Sequence, residues 1–299
     1  ALVAIDPVRI KSVHIVPHIA PTGAEFQLQL GNDSNRNLSN VEVLLQIALH
    51  GTSSPPVTAR FSLRLPKDDE VRQTVPVAIP QGRLWSPDSP SLYDAAISLR
   101  IGGKTIDQTN VTFGLREIRA EGTHLLLNGK PLYIRGYGDD SVEIIGGGPP
   151  SSKKIYLERM QIAKSYGFNA VRFHSTTPTE ECFEAADEVG MLVESELPVI
   201  YQEYLLPHRE FLQNELVSIL HSYQNHPSWF LFTLGNEFSL RRITDAEGKV
   251  IFTNALKELV ALGKTINPGL LISSNTGYLV PPMDVAIPYQ GLSSDLPNI

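Results

Sequence analysis

Hydrophobic and polar positions change their rhythm once along the chain, near residue 118. Before that point apolar residues alternate with polar ones in short runs. Examples are Glu25-Phe26-Gln27-Leu28-Gln29-Leu30, Val41-Glu42-Val43-Leu44-Leu45-Gln46-Ile47 and Ala59-Arg60-Phe61-Ser62-Leu63-Arg64-Leu65. Successive side chains of a strand point to opposite faces, so a period of two marks strands buried on one face. Turn-forming stretches separate them: Gly31-Asn32-Asp33-Ser34-Asn35, Pro66-Lys67-Asp68-Asp69 and Gly102-Gly103-Lys104. Roughly seven such strands predict an all-β immunoglobulin-like sandwich over residues 1–118.

After residue 118 strands and helices alternate. Strands are expected at Pro131–Gly136, Phe168–Phe173, Met191–Glu196, Trp229–Leu234, Leu270–Ser273 and Val285–Pro288. Helices are expected at Ser152–Tyr166, Thr179–Val189, about Glu210–Gln224 and about Phe252–Ile266, the first with Ile155, Met160, Ile162 and Ala163 near one face. Such alternation implies a parallel sheet, and short buried runs suit a (β/α)8 TIM-type barrel over residues 119–299. Eight units typically take ~250 residues, so the barrel is expected to be incomplete, about two units short at its C-terminal end.

Composition narrows the classes. A 42% hydrophobic content supports a packed core, and a formal net charge of −7 argues against a nucleic-acid partner. No run reaches the ~20 apolar residues of a membrane span. No basic segment followed by an apolar run marks a signal peptide, and the chain starts at Ala1 without Met, so upstream sequence is expected to have been removed. A periplasmic or secreted setting is favoured over a cytoplasmic one. Sequons begin at Asn32, Asn37 and Asn110. The lone cysteine, Cys182, lies in the acidic run Glu180-Glu181-Cys182-Phe183-Glu184 and reads as a small buried side chain rather than a nucleophile.

Barrel active sites lie at the C-terminal ends of strands. The polar residues there are Tyr137, Asp139 and Asp140, then Arg172 and His174, then Glu194 and Glu196, then Asn236 and Glu237, then Asn275, and last Tyr289 and Gln290. Acidic, hydrogen-bonding and aromatic groups of this kind suit a neutral polyhydroxylated ligand. Glycoside hydrolysis uses two carboxyl groups across the scissile bond. Glu237 follows an apolar strand, where desolvation would raise its pKa and keep a proton available. Asn236 can donate to a sugar hydroxyl. Out of context, Gly-Asn-Glu is more often a helix-start cap, and its place after a fourth barrel strand favours the chemical reading. No cofactor is implied, and His221 and His226 are too far apart for a metal pair.

Asn225-His226-Pro227-Ser228-Trp229 followed by Leu234-Gly235-Asn236-Glu237 resembles the acid/base signature of glycoside hydrolase family 2, which includes β-galactosidases, β-glucuronidases and β-mannosidases. Further matches follow in order: Leu84-Trp85-Ser86-Pro87 with Pro90-Ser91-Leu92-Tyr93, Phe113-Gly114-Leu115-Arg116, Leu127-Asn128-Gly129-Lys130-Pro131 with Arg135-Gly136, Gly167–Arg172, and Ala186–Met191. The resemblance implies a retaining hydrolase of β-glycosides, with Glu237 as acid/base and Asn236 beside the sugar. It places Arg172 and Glu196 around the glycone pocket. Arg172 would either orient a carboxylate or brace barrel loops; Glu196 would be a pocket acid or a salt-bridge partner. His174, Asp139, Asp140 and Tyr289 complete the expected substrate-binding set. The family more often has its His slightly later than His174, and Asp139 and Asp140 replace its usual Asn, Arg or His after strand one.

A retaining mechanism needs a nucleophilic carboxylate ~5–5.5 Å from the acid/base. The resemblance puts it on strand seven. None of Asp245, Glu247, Glu258, Asp284 and Asp295 ends a seventh strand, so the isolated chain is expected to be inactive. The partner expected is a β-glycoside or an oligosaccharide. Two alternatives remain: a non-catalytic carbohydrate-binding protein that has lost the nucleophile, and a sandwich serving as a protein-interaction module.

Overall fold

The computed structural model describes residues 5–140, 147–198, 201–238, 240–274 and 283–286. Two compact units divide it: residues 1–117 with 225–227, and residues 118–224 with 228–299.

In the first unit the period-two runs become strands. They are β1 (Val8–Ile19), β2 (Thr22–Asn32), β3 (Leu38–Leu49), β4 (Val57–Leu65) and β5 (Asp69–Ala78), followed by the short β6 (Trp85–Ser86) and β7 (Ser89–Pro90), then β8 (Tyr93–Ile101) and β9 (Lys104–Phe113). They form two antiparallel sheets, β1-β2-β5 and β4-β3-β8-β9, plus the β6–β7 hairpin. Phe26, Leu28 and Leu30 of one sheet join Val43, Leu45 and Ile97 of the other in a single buried cluster. Phe26 meets Phe113 edge-on at 5.8 Å. No disulfide is available, so this apolar burial carries the unit.

Three motif segments converge here. The Trp85 amide donates to the Leu115 carbonyl at 2.8 Å. Arg116 Nε donates to the Pro227 carbonyl at 2.6 Å. The Asn225 side chain donates to the Val13 carbonyl at 2.8 Å and accepts from the Ile15 amide at 2.9 Å. Asn225–Pro227 therefore group with the first unit, although they lie beyond the expected boundary at residue 118. Gly114 sits between them: a Cβ there would lie 2.8 Å from Pro227 and 2.9 Å from the Trp85 Cβ. Gly114→Ala should therefore cost about 1–3 kcal/mol of stability by overpacking. Urea unfolding checks this; an unchanged midpoint would show that the neighbours yield freely.

The sequon at Asn32 is closed to glycosylation in this fold. Asn32 is fully buried, and its amide donates to the carbonyls of Arg36, Leu65 and Pro66.

The second unit begins with a small antiparallel meander, β10 (Ile118–Glu121), β11 (His124–Leu127) and β12 (Lys130–Leu132). The first parallel strand is then β13 (Gly136–Asp139). The strand expected at Pro131–Gly136 is thus corrected: Lys130–Leu132 pair with β11 instead, register Leu125–Leu127. From there come α1 (Lys153–Ser165), β14 (Ala170–Phe173), α2 (Glu180–Val189), β15 (Leu192–Glu196), α3 (Gln202–Leu205), α4 (Arg209–Tyr223), β16 (Trp229–Thr233), a 3-10 turn at Leu240–Arg242, α5 (Ala246–Ile266), β17 (Leu271–Ser274) and β18 (Val285–Ala286).

The six parallel strands lie side by side in sequence order, β13-β14-β15-β16-β17-β18. Their core includes Phe173, Phe183, Trp229, Phe232 and Phe252, all buried. Helix α5 starts earlier than expected because Asp245 caps it, accepting from the Gly248 amide. On α1 the buried side chains are Tyr156 and Met160, whereas Ile162 is exposed. Cys182 is fully buried on α2, and burial pushes its thiol well above the ordinary range. No described helix is long and apolar enough to cross a membrane.

Candidate active site

Parallel pairing sets the C-terminal ends of β14, β15 and β16 beside one another. Arg172 stands opposite Glu194, and Glu196 opposite Thr233. Arg172 Nε donates to Glu196 Oε1 at 2.7 Å, and its Nη2 lies 2.5 Å from the same oxygen. Nη2 also donates to Asn236 Oδ1 at 2.8 Å. The Ser175 amide donates to Glu196 Oε2 at 2.5 Å. Glu196 and Asn236 are buried. Arg172, Glu196 and Asn236 are thus one hydrogen-bonded group, with the Arg172 guanidinium used to brace the others.

Glu194 is a fourth member, expected at a strand end but not among the substrate-binding residues. Its Oε1 accepts from the Thr233 hydroxyl at 3.1 Å and lies 3.6 Å from Arg172 Nε. Burial pushes its carboxyl up to about 7; the nearby Arg172 opposes this and Glu196 adds to it. Desolvation outweighs the ion pair because one guanidinium is shared between two carboxyls. The sequence signal was two acids at a spacing of two in one strand, which puts both on one face.

The raised Glu194 carboxyl has a consequence for stability. Its affinity for a proton is higher folded than unfolded, so its contribution is full below pH ~4.5 and lost as pH rises through about 7. With about 1.4 kcal/mol per tenfold change in proton affinity, the loss is about 3.5 kcal/mol at most. Glu194→Gln should flatten stability between pH 5 and 8; parallel urea curves for the two proteins at both pH values would contradict this.

Glu237 follows Asn236 directly. Strand β16 is wholly buried, but Glu237 is half-buried rather than enclosed by a dry wall. Its φ is +50°, in the left-handed region, as is that of Ser175 at +55°. Such residues without a glycine's freedom cost about 1–2 kcal/mol each and persist where surroundings impose them. The Ser175–Glu196 bond is such a constraint.

His174 belongs to a second group. Its amide donates to the Asp139 carbonyl at 3.0 Å, and its Nδ1 is 3.5 Å from Asp140. Asp139 is the last residue of β13, and Asp140 is exposed. Tyr137 lies within β13, meets Phe168 edge-on, and burial pushes its phenol up to about 12. Tyr289, with Asn275 and Gln290, lies outside the described residues. Among the described residues no three His, Cys, Asp or Glu side chains are grouped to hold a metal ion.

Three acids downstream of Glu237 have structural partners. Asp245 caps α5, Glu258 pairs with Arg209, and Asp284 accepts from the Ile272 amide at 2.8 Å and pairs with Lys264 at 2.5 Å. Glu247 lies in the first turn of α5, and Asp295 lies outside the described residues.

The model of the family described as glycosyl hydrolases family 2 matches residues 8–116. A Formosa agariphila protein with a provisional β-glucuronidase name is 30% identical over 251 residues, 80% of this chain and 21% of the relative. A β-galactosidase of Leuconostoc mesenteroides is 27% identical over 71% of this chain and 21% of its own length. The chain thus spans about a fifth of these relatives. Among solved structures, a family 2 member from Bacteroides cellulosilyticus superposes with TM-score 0.79 at 22% identity, covering 92% of this chain and 36% of that one. A family 2 β-galacturonidase from Eisenbergiella tayi bound to galacturonate gives 0.75 at 23%, covering 90% and 46%. These two show the fold. The chain is related to glycoside hydrolase family 2, as its motifs indicate.

Proposed function

We propose that this chain is the sandwich and acid/base-bearing part of a retaining glycoside hydrolase acting on β-glycosides, with Glu237 as the acid/base. The observation that carries the reading is the position of Glu237: it follows buried β16 by a short turn and directly succeeds Asn236, which is held by Arg172, itself bound to Glu196. A fixed neighbour of this kind can bind a sugar hydroxyl while Glu237 protonates the leaving oxygen and later deprotonates water. Two antiparallel sheets around one core fit an immunoglobulin-like sandwich. Six parallel strands in sequence order fit a (β/α)8 barrel, because a doubly wound sheet would reverse its order. We place residues 1–118 in the sandwich and 119–299 in the barrel, with Asn225–Pro227 seated on the former. Arg172, His174, Glu196, Asp139 and Asp140 would line the glycone side.

The same reading makes the 299-residue chain alone inactive, since Asp245, Glu258 and Asp284 after Glu237 already serve the scaffold. The test is aryl β-glycoside turnover by the isolated chain and by the longer enzyme that contains it. Turnover by the isolated chain, lost on Glu237→Gln, would overturn the inactivity. No turnover by the longer enzyme would favour the non-catalytic carbohydrate-binding alternative.

A further inference from the structure

Two carboxyls and one guanidinium share the C-terminal end of the parallel strands beside Asn236, and they are not equivalent. Glu196 receives two nitrogens of Arg172 and the Ser175 amide. Glu194 has the Thr233 hydroxyl and a guanidinium nitrogen at 3.6 Å, beyond hydrogen-bond range. A single cation beside two buried or nearly buried carboxyls stabilises one of them as an anion better than both. The carboxyl with the poorer donors is the one that keeps a proton.

We propose that Glu194 is a positioning residue for the acid/base loop. With a proton on Glu194, Arg172 stays committed to Glu196 and Asn236; once ionised, Glu194 draws Nε toward itself and loosens the Arg172–Asn236 bond. Because Asn236 directly precedes Glu237, the setting of the acid/base then follows pH. Its catalytic meaning rests on the acid/base reading of Glu237, whereas the titration itself belongs to the chain. The charged groups acting on Glu194 are Arg172 from β14 and Glu196 from its own strand; β16 presents the Thr233 hydroxyl. The burial that raises the Glu194 carboxyl acts in the same direction.

The experiment is a pH titration of the 299-residue chain by ¹H–¹⁵N NMR, without ligand, following the Arg172 Nε–H and the Asn236 side-chain amide. Both signals should move together with one midpoint near neutrality. In Glu194→Gln, which imitates the neutral acid in shape and charge, both should stay at their acid-form positions throughout. Thr233→Val removes a donor to the ionised form, so it should raise the midpoint by about half a unit or more. Movement that survives in Glu194→Gln, or signals that do not move in the wild type, would overturn the proposal. Glycosidase assays of the longer enzyme bear on Glu237 separately: their failure would leave the titration intact, and a flat titration would leave Glu237 intact.

Discussion

Glu237→Gln in the longer enzyme should lower kcat/KM by about 10²–10⁴-fold for substrates with a poor leaving group. The expectation follows from the proposed role: an acid/base lowers the barrier by placing a proton on the departing oxygen, and an amide cannot supply it. Substrates with an activated leaving group, such as dinitrophenyl β-glycosides, need little protonation. For them the first step should be nearly unaffected, and hydrolysis of the glycosyl-enzyme should become limiting, giving a burst of phenol. A purely structural role for Glu237 would lower both substrate classes alike. Equal losses across leaving groups, with no burst, would therefore remove Glu237 from the chemistry.

Arg172→Met should destabilise the second unit by about 3–5 kcal/mol. The cause is Glu196, which has no exposed side-chain surface and takes its main compensation from that guanidinium. Removing one partner of a buried pair leaves an uncompensated charge, which is far more costly than removing both. The double variant Arg172→Met with Glu196→Gln should therefore recover much of the loss. Each unit contains one tryptophan, Trp85 in the first and Trp229 in the second. In a Trp85→Phe background, urea unfolding followed by Trp229 fluorescence reports the second unit alone. If the double variant is no more stable than the single one, the pair does not act as described.

The motif glycine and the motif asparagine show how far a sequence pattern can be understood once folded. Phe113-Gly114-Leu115-Arg116 and Asn225-His226-Pro227 are more than a hundred residues apart. They were readable only as matches to a family. In the structure they are one packing site, where Gly114 leaves room for Pro227 and Arg116 holds its carbonyl. A similar step separates Glu194 from Glu196. Both were visible as strand-end acids, but their different hydrogen-bond sets divide their roles.

Local pattern by itself determined the alternation of strands, the boundaries of α1, α2 and α4 to within a residue or two, and the placement of Glu237 after a buried strand. These follow from side-chain period and capping, which act over a few residues. Tertiary structure alone decided that Lys130–Leu132 join a meander and not the parallel sheet, that Ile162 faces outward, and that Asn32 is sealed inside. It also decided that Arg172 is engaged by Glu196 and Asn236. Each of these depends on partners distant in sequence, and burial and charge balance are properties of the assembled neighbourhood, not of the segment that carries the residue.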